Sequence, residues 1–247
     1  MKPFDIDFIL EKVNEYNGKI STNEVGNYKI VKSDFNDSEE GYLYNKKLNI
    51  EIKVPELLVG DESIMKINPK EIQGAYESIK YAKGKVGIVG LGLGYTAQEI
   101  AKKEDVTEVI VYEISKEVVE LYYNNFDKDN KIKIIIGDAY KAQKESFDFF
   151  YVDTYGYELS NKVIEDYKKY NKIHDIEEYT FWGLEHFLLS CRYEEIVWVY
   201  IPELWMEMSK KLFTALSDSQ LLSSYSQLDP ELVSNILSQF KDIFDEE

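Results

Sequence analysis

The chain has 247 residues, 44% of them hydrophobic, enough for one large domain or one domain with a smaller appendage. Its formal charge of −17 makes a surface that repels nucleic-acid phosphates, so no nucleic-acid partner is expected. Arg192 is the only arginine and Cys191 the only cysteine, which leaves almost no bidentate clamp for phosphate and excludes an intramolecular disulfide or a cysteine metal cluster.

The opening residues lack the apolar core of a signal peptide, and no apolar run is long enough to span a membrane, so a cytoplasmic location is expected. Residues 5–16 carry apolar side chains at helical spacing. Residues 27–31, 42–44 and 48–54 alternate apolar and polar positions and predict two or three antiparallel strands, with 57–63 as a connection onward. Asn68-Pro69 then starts a helix over about 70–82, a capping residue followed by proline.

From Lys85 the pattern becomes strand–helix–strand. Nearly all-apolar strands at 85–90, 107–113, 131–136 and 147–152, with helices at 95–103 and 115–125, mark a parallel sheet buried on both faces. A long helix is expected over 159–189 and a further buried strand over 195–201. Helices follow, with Leu212, Leu216, Leu232, Ile236, Phe240 and Ile243 as their apolar stripe and a frayed, solvated acidic end. The expected class is α/β, a Rossmann-like open, mainly parallel sheet with helices on both faces. A small N-terminal helix and antiparallel β region precede it, giving parts at 1–68 and 69–247.

The chemistry gathers at the ends of the parallel strands. The first runs into Gly90-Leu91-Gly92-Leu93-Gly94, a turn whose glycines let the backbone approach a ligand; with Ala97 the same run also satisfies the dinucleotide pattern G-x-G-x-x-A. The second ends in Glu113, placed to accept ribose hydroxyls or to sit at the N-terminus of the next helix. The third ends in Gly137-Asp138-Ala139, where Asp138 has the position of a cap for the next turn. The fourth ends in Asp153-Thr-Tyr155-Gly-Tyr157, at the carboxyl edge where open α/β sheets bind ligands. Tyr155 and Tyr157 have the position for a substrate pocket, with aromatic faces that suit a cation. His174 and His186 lack metal-ligand spacing, and structural roles are expected for both. Tyr179, Phe181 and Trp182 read as an aromatic helix face, either core or pocket wall.

These motifs, in this order, resemble the class I S-adenosylmethionine-dependent methyltransferases. The acid after the second strand, Gly-Asp-Ala, and the strand ending Val-Asp, behind a small β region, resemble the spermidine synthase-like branch. Residues 60–155 carry most of the resemblance, including Met65-x-Ile-x-Pro69-x-Glu71, a pattern seen in uncharacterised bacterial methyltransferase-like proteins. It implies S-adenosyl-L-methionine as cofactor and S-adenosyl-L-homocysteine as product. By the same resemblance Gly90, Leu91, Gly92, Gly94, Glu113, Ile114, Asp138, Ala139 and Asp153 line the cofactor, and Asp153 orients or deprotonates the acceptor. Glu71, Tyr155 and Tyr157 fall at the substrate pocket, Met65 and Pro69 at the cofactor's methionine end, and the branch often forms homodimers. The acceptor is expected to be small or cationic. True spermidine synthases carry an acid inside the glycine loop and a second acid soon after the strand-four Asp. Leu91, Leu93 and the run 154–157 depart from that, which counts against aminopropyl transfer; a non-catalytic cofactor-binding protein is the other alternative.

Overall fold

The computed structural model describes residues 2–35 and 41–246. Helix α1 (Ile6–Lys19) is capped by Asp5, whose side chain accepts the Phe8 amide at 3.1 Å. Four antiparallel strands follow, β1 (Asn23–Val25), β2 (Tyr28–Asp34), β3 (Lys53–Val59) and β4 (Glu62–Lys66), joined in that order. The expected antiparallel region is there, but its strands are redistributed. Residues 57–63, expected as a connection, are a hairpin turning on Gly60-Asp61, a pair suited to a two-residue loop. Residues 42–44 do not form a strand. They are buried, with one bridge from Tyr44 to Tyr225.

Helices α2 (Pro69–Gly74) and α3 (Tyr76–Tyr81) share the span expected for a single helix, with Asn68 accepting the Glu71 amide at 3.0 Å. The core sheet comes next. Strands β5 (Gly84–Val89), β6 (Val106–Glu113) and β7 (Ile132–Ile136) alternate with α4 (Tyr95–Ala101) and α5 (Lys116–Tyr123). After a short strand β8 (Ser146–Phe147), β9 (Phe149–Val152) returns to the far side of β5. Helix α6 (Lys162–Ile173), a short strand β10 (Asp175–Ile176) and strand β11 (Tyr179–Phe181) complete it. The order is β11-β9-β5-β6-β7, every pairing parallel. Right-handed crossovers place α4 and α5 on one face and α6 on the other.

Two expectations fail here. The region 159–189 is not one helix: α6 stops before His174, and the apolar run Tyr179–Phe181 becomes the edge strand. Gly183, in a left-handed turn (φ 91°), then starts α7 (Leu184–Ser190). A β-branched and aromatic run of three is too short for its periodicity to distinguish helix from strand. Residues 195–201 are not a buried strand, because β11 fills the place beside β9. They form part of a short helix α8 (Tyr193–Ile196) and turns, leaving Trp198 75% and Tyr200 80% exposed.

The C-terminal helices α9 (Glu203–Asp218) and α10 (Pro230–Glu246) form as expected, and the stripe Leu212, Leu216, Ile236, Phe240 and Ile243 is buried. The acidic end stays helical to Glu246, because Ile243 and Phe244 anchor it. No helix among the described residues is long and apolar enough to cross a membrane. Trp205 of α9 locks this layer to the sheet. Its indole donates to the Tyr179 carbonyl at 2.6 Å, and its ring meets Tyr167, Phe181, Phe240 and Phe244. Trp205→Ala is expected to destabilise the fold by about 3–5 kcal/mol in urea unfolding. Trp198→Ala, at an exposed position, should stay within about 0.5 kcal/mol.

Candidate functional site

In an open α/β sheet the place for a ligand is the carboxyl edge where the strand order reverses. Here that point lies between β5 and β9. The Asp153 amide bonds to the Val89 carbonyl at 2.9 Å, which brings the glycine turn beside the acid. Gly90 is required by that approach, since a Cβ there would run into the Asp153 carbonyl, and its φ of 97° favours glycine as well.

A cavity of about 940 Å³ opens over this edge. Its floor is Gly90, Leu91, Gly92 and Thr96; one side is Glu113, Ile114, Ser115 and Val118. The opposite side is Asp153 to Glu158, with Asn68, Lys70 and Glu71 behind, and the β3–β4 hairpin forms the roof. Nine of the residues expected from sequence therefore meet around one space: Gly90, Leu91, Gly92, Glu113, Ile114, Asp153, Tyr155, Tyr157 and Glu71. Met65, on the hairpin, joins them there.

The glycine turn is held from several sides. Glu113 is buried and accepts the Leu91 amide through Oε2 at 3.0 Å and the Ser115 amide through Oε1 at 2.8 Å. Met65 Sδ accepts the Leu93 amide at 3.2 Å from above. The Gly90 amide is bonded to the Tyr112 carbonyl and the Gly94 amide to the Leu91 carbonyl. With these four amides engaged, the turn does not offer the fan of N–H donors that a pyrophosphate uses. Ile114, 75% exposed, presents an apolar surface beside Glu113.

Four expected residues lie off the cavity wall. Pro69 opens α2 between the lining residues Asn68 and Lys70. Gly94 packs against Tyr122 at the start of α4. Asp138 caps the short turn at Ala139–Lys141. It accepts the Tyr140 amide at 3.0 Å and pairs with Lys141 at 3.2 Å, and these two contacts, the amide first, hold its carboxyl below the usual range. Ala139 is buried in that turn.

At the far end two acids face each other. Glu71 is 1% exposed, and its Oε1 has no hydrogen-bond partner. Burial first, and then the charge of Asp153, push its carboxyl well above the usual range. Burial pushes Asp153 up to about 7. Two neighbouring carboxyls of this kind resist ionising together, so one holds its proton more tightly than a free carboxyl does. Tyr157 has a left-handed φ of 66°, and its hydroxyl donates to the Lys66 carbonyl at 3.2 Å, tying the loop after β9 to the hairpin roof.

Sequence reasoning missed Asp166. It is 1% exposed and accepts the hydroxyls of Tyr140 and, at 2.9 Å, Tyr155, so one carboxylate ties together the loops after β7 and β9. Its signal was an acid within the apolar face of α6, among Val163, Ile164, Tyr167 and Tyr170. His174 and His186 are core residues: His174 packs against Phe147 and Phe150, and His186 bonds the Ser226 carbonyl. Tyr179, Phe181 and Trp182 are buried, and Trp182 backs the cavity through Tyr157.

No family model matches the chain. Over 75 residues it is 35% identical to the probable ribosomal RNA small subunit methyltransferase A of Methanosarcina barkeri, a match covering 30% of this chain and 25% of that protein. The matched stretch thus spans a quarter of the curated relative's length. Among solved structures, spermidine synthase of Thermotoga maritima is 16% identical with a TM-score of 0.36, over 59% of this chain and 50% of that one. Trm5b of Pyrococcus abyssi is 14% identical with a TM-score of 0.40, over 76% of this chain and 55% of that one. Over that 75-residue stretch the chain is similar to a methyltransferase, and spermidine synthases are among the solved structures it resembles in fold.

Proposed function

We propose that the chain is an S-adenosylmethionine-dependent methyltransferase acting on a small or cationic acceptor. The observation that carries this is the set of groups around one cavity: a glycine turn with four of its amides engaged, the Glu113 carboxylate held by two amides, the buried Glu71 and the half-buried Asp153. Glu113 keeps lone pairs for ribose hydroxyls, Ile114 offers an apolar face to the base, and Gly90 to Gly92 admit the cofactor's chain. The bound cofactor supplies an electrophilic methyl group on a positively charged sulfur. The protein's part is to align the acceptor and exclude water, while Asp153 receives a proton from the acceptor.

The curated relative's name refers to ribosomal RNA. Glu62, Glu71, Asp153 and Glu158 on the cavity wall and the charge of −17 favour a small or cationic acceptor over a polyphosphate chain. Aminopropyl transfer is kept as a second reading on one observation: Glu71 supplies, from α2, the second carboxylate absent from the run after Asp153. A protein with decarboxylated cofactor bound and an amine consumed would fit that reading.

Titration calorimetry with S-adenosylmethionine, S-adenosylhomocysteine, the decarboxylated cofactor and NAD checks the cofactor. The first two should bind in the micromolar range and NAD should give no heat; failure of both adenosyl ligands below millimolar would sink the proposal. Glu113→Ala should weaken S-adenosylhomocysteine about 10- to 100-fold, the loss of about 1.5–3 kcal/mol that hydrogen bonds to a charged group contribute.

The acid pair also predicts a pH dependence of stability. Asp153 rises from 3.8 to about 7 on folding, so between those values the native state holds more protons than the unfolded chain. Stability should then fall as pH rises from about 4 to about 7. Asp153→Asn should raise the melting temperature at pH 8 by a few degrees and flatten that slope, read by calorimetric melting across pH. An unchanged slope would contradict the placement of a half-buried, protonated acid at 153.

A further inference from the structure

Behind the cavity four buried polar atoms have no hydrogen-bond partner: Glu71 Oε1, Tyr151 OH, Trp182 Nε1 and Glu185 Oε1. Glu71 and Glu185 are each 1% exposed, Tyr151 is fully buried and Trp182 is nearly so. They come from α2, β9, the turn after β11, and α7. The Trp182 indole nitrogen lies against Gly74, one helical turn on from Glu71; a Cβ at Gly74 would sit 2.7 Å from it. The Trp182 ring meets those of Tyr157 at 5.0 Å and Tyr42 at 5.4 Å. The Tyr42 hydroxyl in turn donates to Glu185 Oε2 at 2.9 Å. The Tyr151 hydroxyl lies within electrostatic reach of both acids and of Asp153 and Tyr42.

One buried polar atom left without a partner costs about 1–3 kcal/mol, so four in one neighbourhood call for a common occupant. Their chemistry names it. Tyr151 and Trp182 offer two donors, and Glu71 and Glu185 offer two acceptors. A water molecule, which accepts two hydrogen bonds and donates two, satisfies that set. We infer that Glu71, Tyr151, Trp182 and Glu185 hold ordered water in a closed polar site behind the cavity, linking the acceptor-facing acids to Glu185.

The site has a role that rests on the methyltransferase reading. When an acceptor's lone pair takes the methyl group, the carbon–sulfur electrons stay on sulfur and the acceptor's proton goes to Asp153. With Glu71 protonated, the Tyr151 hydroxyl accepts from the water instead of donating to it; the freed lone pair takes the Glu71 proton as the water gives one to Glu185. Glu185 suits the task because burial pushes its carboxyl up to about 7. It is faced by Tyr42 from the buried 41–44 segment, Tyr151 from β9, Glu77 from α3 and His186 beside it.

A crystal structure of the full chain that resolves ordered water, together with NMR of the tryptophan indoles, tests the site. The indoles are distinguishable: Trp205 is bonded to the Tyr179 carbonyl and Trp198 is exposed. A water should lie within hydrogen-bond distance of Trp182 Nε1 and of Glu71 or Glu185. The Trp182 indole resonance should shift as pH passes about 7, and Glu185→Gln should remove that shift while Trp205 stays still. A dry site with the four atoms paired directly, or a Trp182 titration untouched by Glu185→Gln, would overturn the inference. If that variant does not fold, Tyr42→Phe, which strips the hydrogen bond from Glu185, should move the midpoint. Binding of S-adenosylhomocysteine to the same sample reports on the cofactor reading separately, since the water site does not depend on it.

Discussion

Glu113 fixes the geometry on which the candidate site depends. A buried carboxylate that accepts two backbone amides, one from the glycine turn and one from the start of α5, welds the ends of β5 and β6 into one rigid edge. Each oxygen of this buried carboxyl is met by an N–H donor, which offsets the cost of taking it out of water. From that edge the parallel register carries outward. Asp153 follows Val89 by a backbone hydrogen bond, and Asp166 then holds Tyr155 in the neighbouring loop. Preorganisation of this kind spares a ligand the cost of ordering the loops that receive it.

The opposite wall works against stability. Glu71 is a buried acid beside the half-buried Asp153, and Tyr157 is held in a backbone conformation unusual for a residue with a side chain. Such features persist where the surrounding structure over-determines them, and they concentrate at functional sites. Here the surroundings are the hairpin roof, tied to Tyr157 through Lys66, and the aromatic layer of Trp182 and Tyr42 behind it. The cavity thus has a rigid, hydrogen-bonded side and a strained, acidic side, which in the proposed function receive the cofactor and the acceptor.

Much of this was legible in the sequence because it is local. A strand, a glycine turn and a capped helix are specified within about ten residues, so β5, β6, β7 and β9 are legible, and the ends of β5, β6 and β9 meet at the cavity while Asp138 and Ala139 after β7 do not. Legibility failed where the outcome depends on competition between distant segments. Residues 195–201 have the composition of a buried strand, but the one edge they would pair with is taken by Tyr179–Phe181. The hairpin at Gly60-Asp61 was readable from its turn pair and was passed over for the connection it also resembles. Glu71 shows a third limit: its place beside Asp153 comes from the docking of α2 against the sheet, which no spacing along the chain encodes. Asp166 and Glu185 left a fainter signal, a single acid among apolar neighbours on one helix face.

A crystal structure of the chain with S-adenosylhomocysteine bound tests the central claim most directly. The ribose hydroxyls should lie on the Glu113 carboxylate, the base against Ile114, and the sulfur toward Asp153 and Glu71, with Gly90 to Gly92 beneath the chain between them. Density for the ligand elsewhere, or a ribose that makes no contact with Glu113, would contradict the account.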